Sequence, residues 1–346
     1  MAKVFVGMSG GVDSSVAAAL LVEQGYDVTG VYMKNWAEDL PGMHCPWAED
    51  VADAKRVAVG LGIDFQVVDF QAEYKQRVVD YMVAEYQAGR TPNPDVMCNQ
   101  EVKFKLFLDV ALERGAEMIA TGHYARTQGG VLLRAADDNK DQTYFLYRVE
   151  SSALEKTLFP LGDFTKSEVR EMARARGLWT ATKKESMGIC FVGQVGIREF
   201  LSEYVETVPG DIIDVQTGAV VGRHDGAIFY TLGQRHGLNV GGGLPYYVVG
   251  KDMDKNAVYV SQQLNSDELW CTELNLGDVH WTGDMPSDGE YQVRVRHRAP
   301  LVSARLQTEG GVTAHLALAE PQRAITAGQS VVVYDGEICL GGGIIK

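Results

Sequence analysis

The stretch "VFVGMSGGVDSSVAAALL", residues 4–21, constrains the fold more than any other part of the chain. An apolar run meets two adjacent glycines and then a run of alanines and leucines, which predicts a buried strand, a tight turn and a helix. Backbone N–H groups in such a turn and at a helix start are unpaired and point into the concavity. Ser9, Ser14 and Ser15 add hydroxyl donors. This glycine-rich loop (residues 7–14) therefore predicts a binding site for phosphates.

The loop differs from a Walker A motif, because no lysine follows its glycines. Asp13 stands there instead. A carboxylate beside phosphates is repulsive unless a cation intervenes, so Asp13 is a candidate ligand for Mg²⁺. The alternative is a tight turn between strand and helix whose glycines serve packing only.

The first half of the chain alternates short apolar strands with helical patterns, which predicts an α/β domain with a doubly wound parallel sheet. Thr165 and Glu168 have the spacing of a capping box, and Gly177 is placed to end that helix. The predicted strands are residues 3–8, 27–33, 64–70 and 117–123, and the predicted helices are residues 13–23, 49–62, 101–114 and 165–177.

After about Tyr204, helical periodicity fades, and β-branched runs with Gly and Asp turns dominate. The pattern predicts a small β-rich central domain followed by a C-terminal β-barrel. We place the domains at residues 1–196, 197–266 and 267–346, and a chain of 346 residues has room for two or three.

Composition narrows the class of protein. The net charge of −14 does not favour nucleic-acid binding, although a local basic face can coexist with an acidic remainder. The five cysteines are odd in number and scattered without a CxxC pair, which argues against a zinc finger or a disulfide framework. No apolar run reaches the roughly 18 to 20 residues that span a bilayer, and no leader is evident. We expect a cytoplasmic protein without a membrane partner.

Several short motifs carry a resemblance that spans the chain in order. The loop "SGGVDSS" resembles the pyrophosphate loop of the N-type ATP pyrophosphatases, which adenylate a carbonyl oxygen. The other motifs are similar to those of the tRNA 2-thiouridylases within that superfamily. One departure is Met187, where the family usually has threonine. The motifs are "MKNW" (33–36), "TPNPDVMCN" (91–99), "ATGHYAR" (120–126), "KDQTYFL" (140–146), "GICFVG" (188–193), "TLGQRHGL" (231–238) and "CLGGGII" (339–345).

The resemblance implies an ATP site at the carboxyl edge of the parallel strands, where ligands of open α/β sheets bind. Without it, Met33 would be read as an ordinary core residue at a strand end. The implied ATP-binding residues are Gly7, Met8, Ser9, Gly10, Gly11, Val12, Asp13, Ser14, Met33 and Gly122.

The resemblance also implies sulfur chemistry on two cysteines. Cys190 would carry a persulfide received from a sulfur-donor protein, and Cys98 would be the partner nucleophile, leaving a transient Cys98–Cys190 disulfide. Asp95 would transfer a proton or orient the base. An iron–sulfur cluster on Cys98, Cys190 and Asp95 stays an open alternative that we do not predict. The remaining cysteines, Cys45, Cys271 and Cys339, are read as small core residues.

RNA contacts require local positive charge. Arg294, Arg296 and Arg298 alternate, so a strand would place them on one face, fit for phosphates. His123 is either an acid–base group or a packing residue, and Lys103 reads as charged surface. The residues that the resemblance assigns to the target base and tRNA are Asn93, Pro94, Asp95, Lys140, Asp141, Gln142, Arg296 and His297.

The resemblance implies ATP-dependent 2-thiolation of the wobble uridine in tRNAs for Lys, Glu and Gln. The uracil C2 oxygen would be adenylated, and sulfur would then come from the cysteine persulfide. One alternative is an adenylating ligase acting on a small molecule, for which the cysteines would be dispensable. Another is a non-catalytic RNA-binding or sulfur-carrier protein, which the complete glycine-rich loop disfavours.

Overall fold

The structure is a computed structural model that describes residues 1–39, 45–184, 196–241, 243–263 and 269–346. The strands are β1 (Lys3–Gly7), β2 (Asp27–Lys34), β3 (Asp64–Asp69), β4 (Met118–Ala120), β5 (Arg126–Gln128), β6 (Val131–Leu133), β7 (Thr157–Leu158), β8 (Gly210–Asp214), β9 (Val220–His224), β10 (Tyr247–Asp252), β11 (Ala257–Ser261), β12 (Trp270–Trp281), β13 (Gly289–Arg294), β14 (Val302–Glu309), β15 (Thr313–Arg323), β16 (Ser330–Asp335) and β17 (Ile338–Ile345).

The α-helices are α1 (Val12–Glu23), α2 (Trp47–Leu61), α3 (Gln71–Tyr74), α4 (Asp80–Gln87), α5 (Pro94–Met97), α6 (Phe107–Glu113), α7 (Thr143–Leu146), α8 (Ser151–Leu154), α9 (Lys166–Ala175) and α10 (Ile197–Ser202). A π-helical segment (Lys75–Val79) joins α3 to α4, and a second one (Cys98–Leu106) joins α5 to α6. Short 3₁₀ turns lie at Trp179–Thr182 and Ala227–Phe229. Within the described residues, no helix has both the length and the apolar character that crossing a membrane requires.

The first sheet has five parallel strands in the order β3-β2-β1-β4-β7. Strand β1 is buried on both faces: Phe5 packs into one apolar cluster, whereas Val4 and Val6 pack into another. An apolar run of this kind is typical of a parallel strand covered by helices on both sides. The predicted doubly wound α/β sheet is confirmed. Its order reverses between β1 and β4, which is where ligands bind in open sheets of this type.

The β-rich second half is also confirmed, and it forms two sheets. Strands β10-β11-β8-β9 make a four-stranded sheet in which β8 and β11 are parallel. Strands β12-β15-β14-β13-β16-β17 form a ring, because β17 also pairs with β12. The result is a closed six-stranded barrel, whose interior is filled by apolar side chains such as Val293, Leu306, Leu316 and Val333.

The hairpin β5–β6 follows β4 in the chain but extends the barrel sheet rather than the first sheet. Leu132 and Leu133 of β6 pair with Cys339 and Ile338 of β17. Three side chains of the segment 143–148 reach the barrel as well: Tyr144 donates to the Ser330 carbonyl, Tyr147 to the Ser330 hydroxyl, and Arg148 contacts Asp278 at 3.0 Å. The N-terminal α/β domain and the barrel are therefore joined by strand pairing and by side-chain hydrogen bonds.

Two local predictions were wrong. The helix predicted to start at about Glu101 begins at Pro94, so Cys98 lies inside a continuous helical segment rather than before it. Strand β13 ends at Arg294, and Arg296 and Arg298 follow it in irregular structure, with Arg298 at φ +64°. The three arginines therefore do not form a row on one strand face.

Candidate active site

The glycine-rich loop is shaped by glycine conformation and by serine hydroxyls. Gly10 has φ +74°, and a Cβ there would lie 2.4 Å from the Asp50 carbonyl oxygen, so only glycine fits. The Ser9 N–H donates to Ser14 Oγ at 3.2 Å, and Ser14 Oγ donates to the Gly11 carbonyl at 3.3 Å. The Ser14 hydroxyl thus links Ser9 to Gly11 within the loop, and the Ser9 side chain is exposed to solvent.

The other predicted ATP residues gather around this loop. A Cβ on Gly7 would lie 3.0 Å from Met33 Cε, so Met33 contacts the start of the loop from β2. A Cβ on Gly122 would lie 2.7 Å from the Ser14 backbone nitrogen, so the end of β4 presses against the start of α1. Met8 and Val12 point into the core, which leaves only their backbone for a ligand.

Asp13 has two partners that the sequence did not suggest. Lys166 Nζ lies 2.6 and 2.8 Å from the two carboxylate oxygens, and the Tyr124 hydroxyl donates to Asp13 Oδ1 at 3.0 Å. Lys166 is the first residue of α9, directly after the N-cap Thr165, and its side chain is 12% exposed. The predicted capping box of Thr165 and Glu168 is confirmed. The cation that the loop itself lacks is therefore supplied by a separate helix.

Cys98 lies on a helical segment that packs under the same edge of the sheet. Asn93 caps its start by accepting from the N–H groups of Asp95 and Val96, and Pro94 occupies the first turn. Cys98 opens the π-helical segment and is 1% exposed. π-helical turns are rare and are often found at functional sites.

The helix of Cys98 and the glycine-rich loop meet through aromatic contacts. The Phe107 ring would lie 3.6 Å from a Cβ on Gly7, at the start of the loop. The Phe104 ring lies 5.7 Å from the ring of His123, which directly follows Gly122. The helical segment that carries Cys98 therefore packs against the strand ends that carry the loop and Gly122, through residues six and nine positions after Cys98. Cys190 and Met187 lie outside the described residues.

Two titratable groups near this helix have shifted pKa values. Burial raises the pKa of Asp95, opposed by the positive charge of Lys103. Burial lowers the pKa of His123 well below its usual range, and Lys103 lowers it further. His123 Nδ1 lies 2.8 Å from the Thr121 hydroxyl. Asp95 thus retains its proton to a higher pH than usual, His123 stays neutral, and Lys103 is a shared neighbour of both rather than plain surface.

The "KDQ" residues are only partly accessible. Asp141 is 1% exposed and accepts from Arg294 Nη1 at 2.9 Å and from the Thr143 hydroxyl at 2.9 Å. Gln142 Oε1 accepts from the Tyr124 N–H at 2.9 Å. Lys140 is half-buried. The structure thus places Asp141 and Gln142 between the barrel and the glycine-rich loop rather than on an open surface.

His297 lies close to the Cys98 helix. Its ring centroid is 4.4 Å from that of Phe145, whose carbonyl accepts from Asn99 Nδ2 at 3.0 Å. Burial lowers the pKa of His297 to about 4, with contributions from the positive charges of Arg298 and Arg294. Arg296 donates to the carbonyls of Arg323 and Ala324, so its guanidinium is partly occupied.

A metal centre built from the protein alone is not evident in the described ranges, where no three His, Cys, Asp or Glu side chains cluster. Both Asp13 carboxylate oxygens contact Lys166 Nζ, a protein cation, so the role of Asp13 as a ligand for Mg²⁺ stays a prediction. Cys45 and Cys339 are buried in the apolar core, and burial raises both of their pKa values. Cys271 is half-buried, and burial raises its pKa as well.

Comparison with known proteins places each part of the chain. Family models match at residues 2–194 (tRNA methyl transferase HUP domain), 198–262 (tRNA methyl transferase PRC-barrel domain) and 271–345 (Aminomethyltransferase beta-barrel domain). Among solved structures, a 4-thiouridine synthetase–RNA complex with bound ATP matches at a TM-score of 0.37 and 20% identity, over 59% of this chain and 50% of that chain. That overlap is too low to indicate function.

Curated relatives match over nearly the whole length. The tRNA-specific 2-thiouridylase MnmA of Streptococcus thermophilus (strain ATCC BAA-491 / LMD-9) is 50% identical over 99% of this chain and 95% of its own. The protein of the same name from Enterococcus faecalis (strain ATCC 700802 / V583) is 48% identical over the same shares. With a glycine-rich loop, a cysteine helix and a C-terminal barrel in the expected order, the chain belongs to the tRNA-specific 2-thiouridylase family.

Proposed function

We propose that this protein catalyses ATP-dependent 2-thiolation of the wobble uridine in tRNAs for Lys, Glu and Gln. The proposal rests on one observation: the chain is 48–50% identical, over 99% of its length, to proteins named tRNA-specific 2-thiouridylase. The meeting of the glycine-rich loop and the Cys98 helix at one edge of the sheet supports it, because the two half-reactions require a common cavity.

In the first half-reaction, the glycine-rich loop would hold the phosphates of ATP at the switch point between β1 and β4. The uracil C2 oxygen attacks the α-phosphorus, pyrophosphate leaves, and C2 carries an adenylated oxygen. Lys166 is placed to offset the negative charge of Asp13 and of the phosphates. Mg²⁺ bound with ATP would supply further charge neutralisation of the pyrophosphate.

In the second half-reaction, a persulfide on Cys190, loaded by a sulfur-donor protein, would provide the sulfur. Attack of the Cys98 thiolate on the inner sulfur of the persulfide forms a Cys98–Cys190 disulfide and releases hydrosulfide. Hydrosulfide attacks C2 and AMP leaves with the former C2 oxygen. In the alternative route, the outer persulfide sulfur attacks C2 and AMP leaves; Cys98 then attacks Cys190 Sγ, releasing the thiolated base. Either route ends in one disulfide, which two cellular thiols of the cytoplasm reduce.

Proton transfer would use the groups beside Cys98. A carboxyl group whose pKa is raised by burial can donate a hydrogen bond to the base, and Asp95 fits this role. A neutral His123 can accept or donate through the ring nitrogen that does not face Thr121.

The tRNA would reach the site from the barrel side. His297 and Phe145 form a paired aromatic surface next to the Cys98 helix, and an extruded base can stack on such rings. Arg298 is exposed and directly follows His297, and Lys140 lies five residues before Phe145. Both side chains can contact phosphates of the anticodon stem-loop.

Thiolation of anticodon stem-loop RNA with radiolabelled sulfur from a persulfide donor tests the proposal. We expect Cys98→Ser and Cys190→Ser to abolish thiouridine formation and Cys271→Ser, a matched cysteine outside the site, to retain it. ATP hydrolysis to AMP without any RNA-bound sulfur in the wild type would contradict the proposal and favour a small-molecule ligase.

A further inference from the structure

The turn at residues 137–142 is hydrogen-bonded to the partners of Asp13 on both of its ends. At its start, Asp137 Oδ2 accepts from the backbone N–H of Lys166 at 2.9 Å. At its end, Gln142 and Tyr124 exchange two hydrogen bonds of 2.9 Å: the Gln142 N–H donates to the Tyr124 carbonyl, and the Tyr124 N–H donates to Gln142 Oε1. Because Lys166 and Tyr124 both bind Asp13, these contacts close a ring from the turn to the glycine-rich loop.

The same turn is tied to the barrel through one buried ion pair. The Asp141 side chain has no exposed surface and that of Arg294 is 5% exposed, and their atoms approach to 2.9 Å. Asp141 Oδ1 also accepts from the N–H groups of Ala135 and Thr143, which flank the turn. A carboxylate at this depth requires a charged partner, because an unpaired buried charge is costly. Arg294 at the end of β13 supplies that partner from the barrel.

We propose that Arg294 is a positioning residue for the ATP site. Arg294 pairs with Asp141 and so fixes the 137–142 turn. The hydrogen bonds of this turn keep Lys166 and Tyr124 in contact with Asp13. Docking of the barrel thereby sets the charge and shape of the glycine-rich loop. This inference rests on the proposed function for the identity of the ligand, ATP, but the ring of contacts is made of protein atoms alone.

Loss of the Arg294 guanidinium would act on the turn rather than on the barrel alone. In Arg294→Met, the Asp141 carboxylate keeps neutral donors and one more distant cation, Arg134, whose Nε lies 3.9 Å from Asp141 Oδ2 and which also pairs with Asp138. The loss of the 2.9 Å contact with Arg294 therefore favours proton uptake by Asp141 or its movement toward water. Movement of Asp141 shifts Gln142, its chain neighbour, and the hydrogen bonds of Gln142 to Tyr124. The hydrogen bonds of Tyr124 and Lys166 to the Asp13 carboxylate then weaken.

A matched control is present at the same interface. Arg148 is also buried and also pairs with a barrel carboxylate, Asp278, at 3.0 Å. Its other described side-chain partners, Gln100, the Asp278 carbonyl and the Tyr147 ring, lie outside the ring around Asp13. Arg148→Met therefore weakens barrel docking without touching the 137–142 turn.

The test compares the full-length variants in three measurements: the dissociation constant for ATP, amide hydrogen exchange of residues 7–14 without nucleotide, and the melting temperature. We expect Arg294→Met to raise the ATP dissociation constant about tenfold, the loss of roughly one charge-assisted hydrogen bond. Its loop amides should exchange faster. Arg148→Met should lower the melting temperature but change ATP affinity by less than about twofold.

Two further outcomes decide the matter. Should Arg294→Met fold poorly, the double variant Asp141→Asn/Arg294→Met leaves no unpaired buried charge, and we expect it to fold and still to bind ATP weakly. Equal effects of Arg148→Met and Arg294→Met on the loop, or no effect of either, would overturn the proposal. Failure of the wild type to bind ATP would instead refute the proposed function, and hydrogen exchange of the loop would still decide on the role of Arg294.

Discussion

Gly122→Ala tests how closely the end of β4 must approach the glycine-rich loop. The added Cβ would lie 2.7 Å from the Ser14 nitrogen and 2.8 Å from the Asp13 carbonyl carbon. Ordinary van der Waals contact starts at 3.4 Å, so the two backbones must separate by about 0.7 Å. Both neighbours are backbone atoms at the start of α1, so neither can rotate away. Overpacking of this kind costs about 2 kcal/mol in unfolding free energy.

The shift would move the phosphate site as well as destabilise the fold. Because a displacement of about 1 Å can cost a hundredfold in rate, we expect kcat/KM for ATP in the thiolation assay to fall by up to about two orders of magnitude. Urea unfolding measures the stability change. Gly60→Ala is the control: it lies in α2 with open space around its Cβ, and we expect it to be neutral or slightly stabilising. Wild-type stability and wild-type ATP kinetics in Gly122→Ala would refute the reasoning.

Three further predictions concern single side chains. Lys166→Met should lower kcat/KM for ATP by about tenfold or more in the thiolation assay, whereas the exposed Lys156→Met should not. Asp95→Asn should raise the melting temperature near neutral pH, because a carboxyl group with a raised folded pKa costs stability once the pH exceeds its unfolded pKa. That gain should shrink through about pH 4 and vanish below about pH 3, where both states are protonated, and a gain that persists there would contradict this explanation. Thr165→Ala should cost about 1 kcal/mol in urea unfolding by removing the cap of α9, and an unchanged midpoint would count against that role.

Features with a local cause could be predicted from the sequence. The strand, loop and helix of residues 3–23 follow from an apolar run, a glycine pair and an alanine-rich segment. The helix that starts after Thr165 follows from its capping box, and Gly177 adopts φ +61° just past its end. Each of these signals involves residues only a few positions apart, so no knowledge of the tertiary structure is needed.

The start of the Cys98 helix was missed although its signal is local. Asn93, Pro94 and Asp95 are a helix cap, a first-turn proline and a first-turn acid, but the same residues are also common in turns. The helix was predicted from about Glu101, inside the π-helical segment Cys98–Leu106, so only its first seven residues, 94–100, were missed.

Pairs that are distant in the chain could not be found from patterns. Asp13 and Lys166 are 153 positions apart, and so are Asp141 and Arg294. Arg294 resembled a surface arginine because charged residues are rarely buried. It lies inside because Asp141, on a different domain, offsets the cost of burying its charge. Only the docking of the barrel against the first sheet brings the two together.

The location of the positive charge at the glycine-rich loop has a consequence for how the site is controlled. In a Walker A loop the lysine is part of the loop and is present whenever the loop folds. Here Lys166 belongs to α9, which packs through Val169 and Ala173 against apolar residues of α1. Under the positioning proposal above, the place of this charge depends on α9, on the 137–142 turn and on the barrel together. If the proposed function holds, a loop without its own lysine makes ATP binding depend on the tertiary structure, and through Arg294 on the C-terminal barrel.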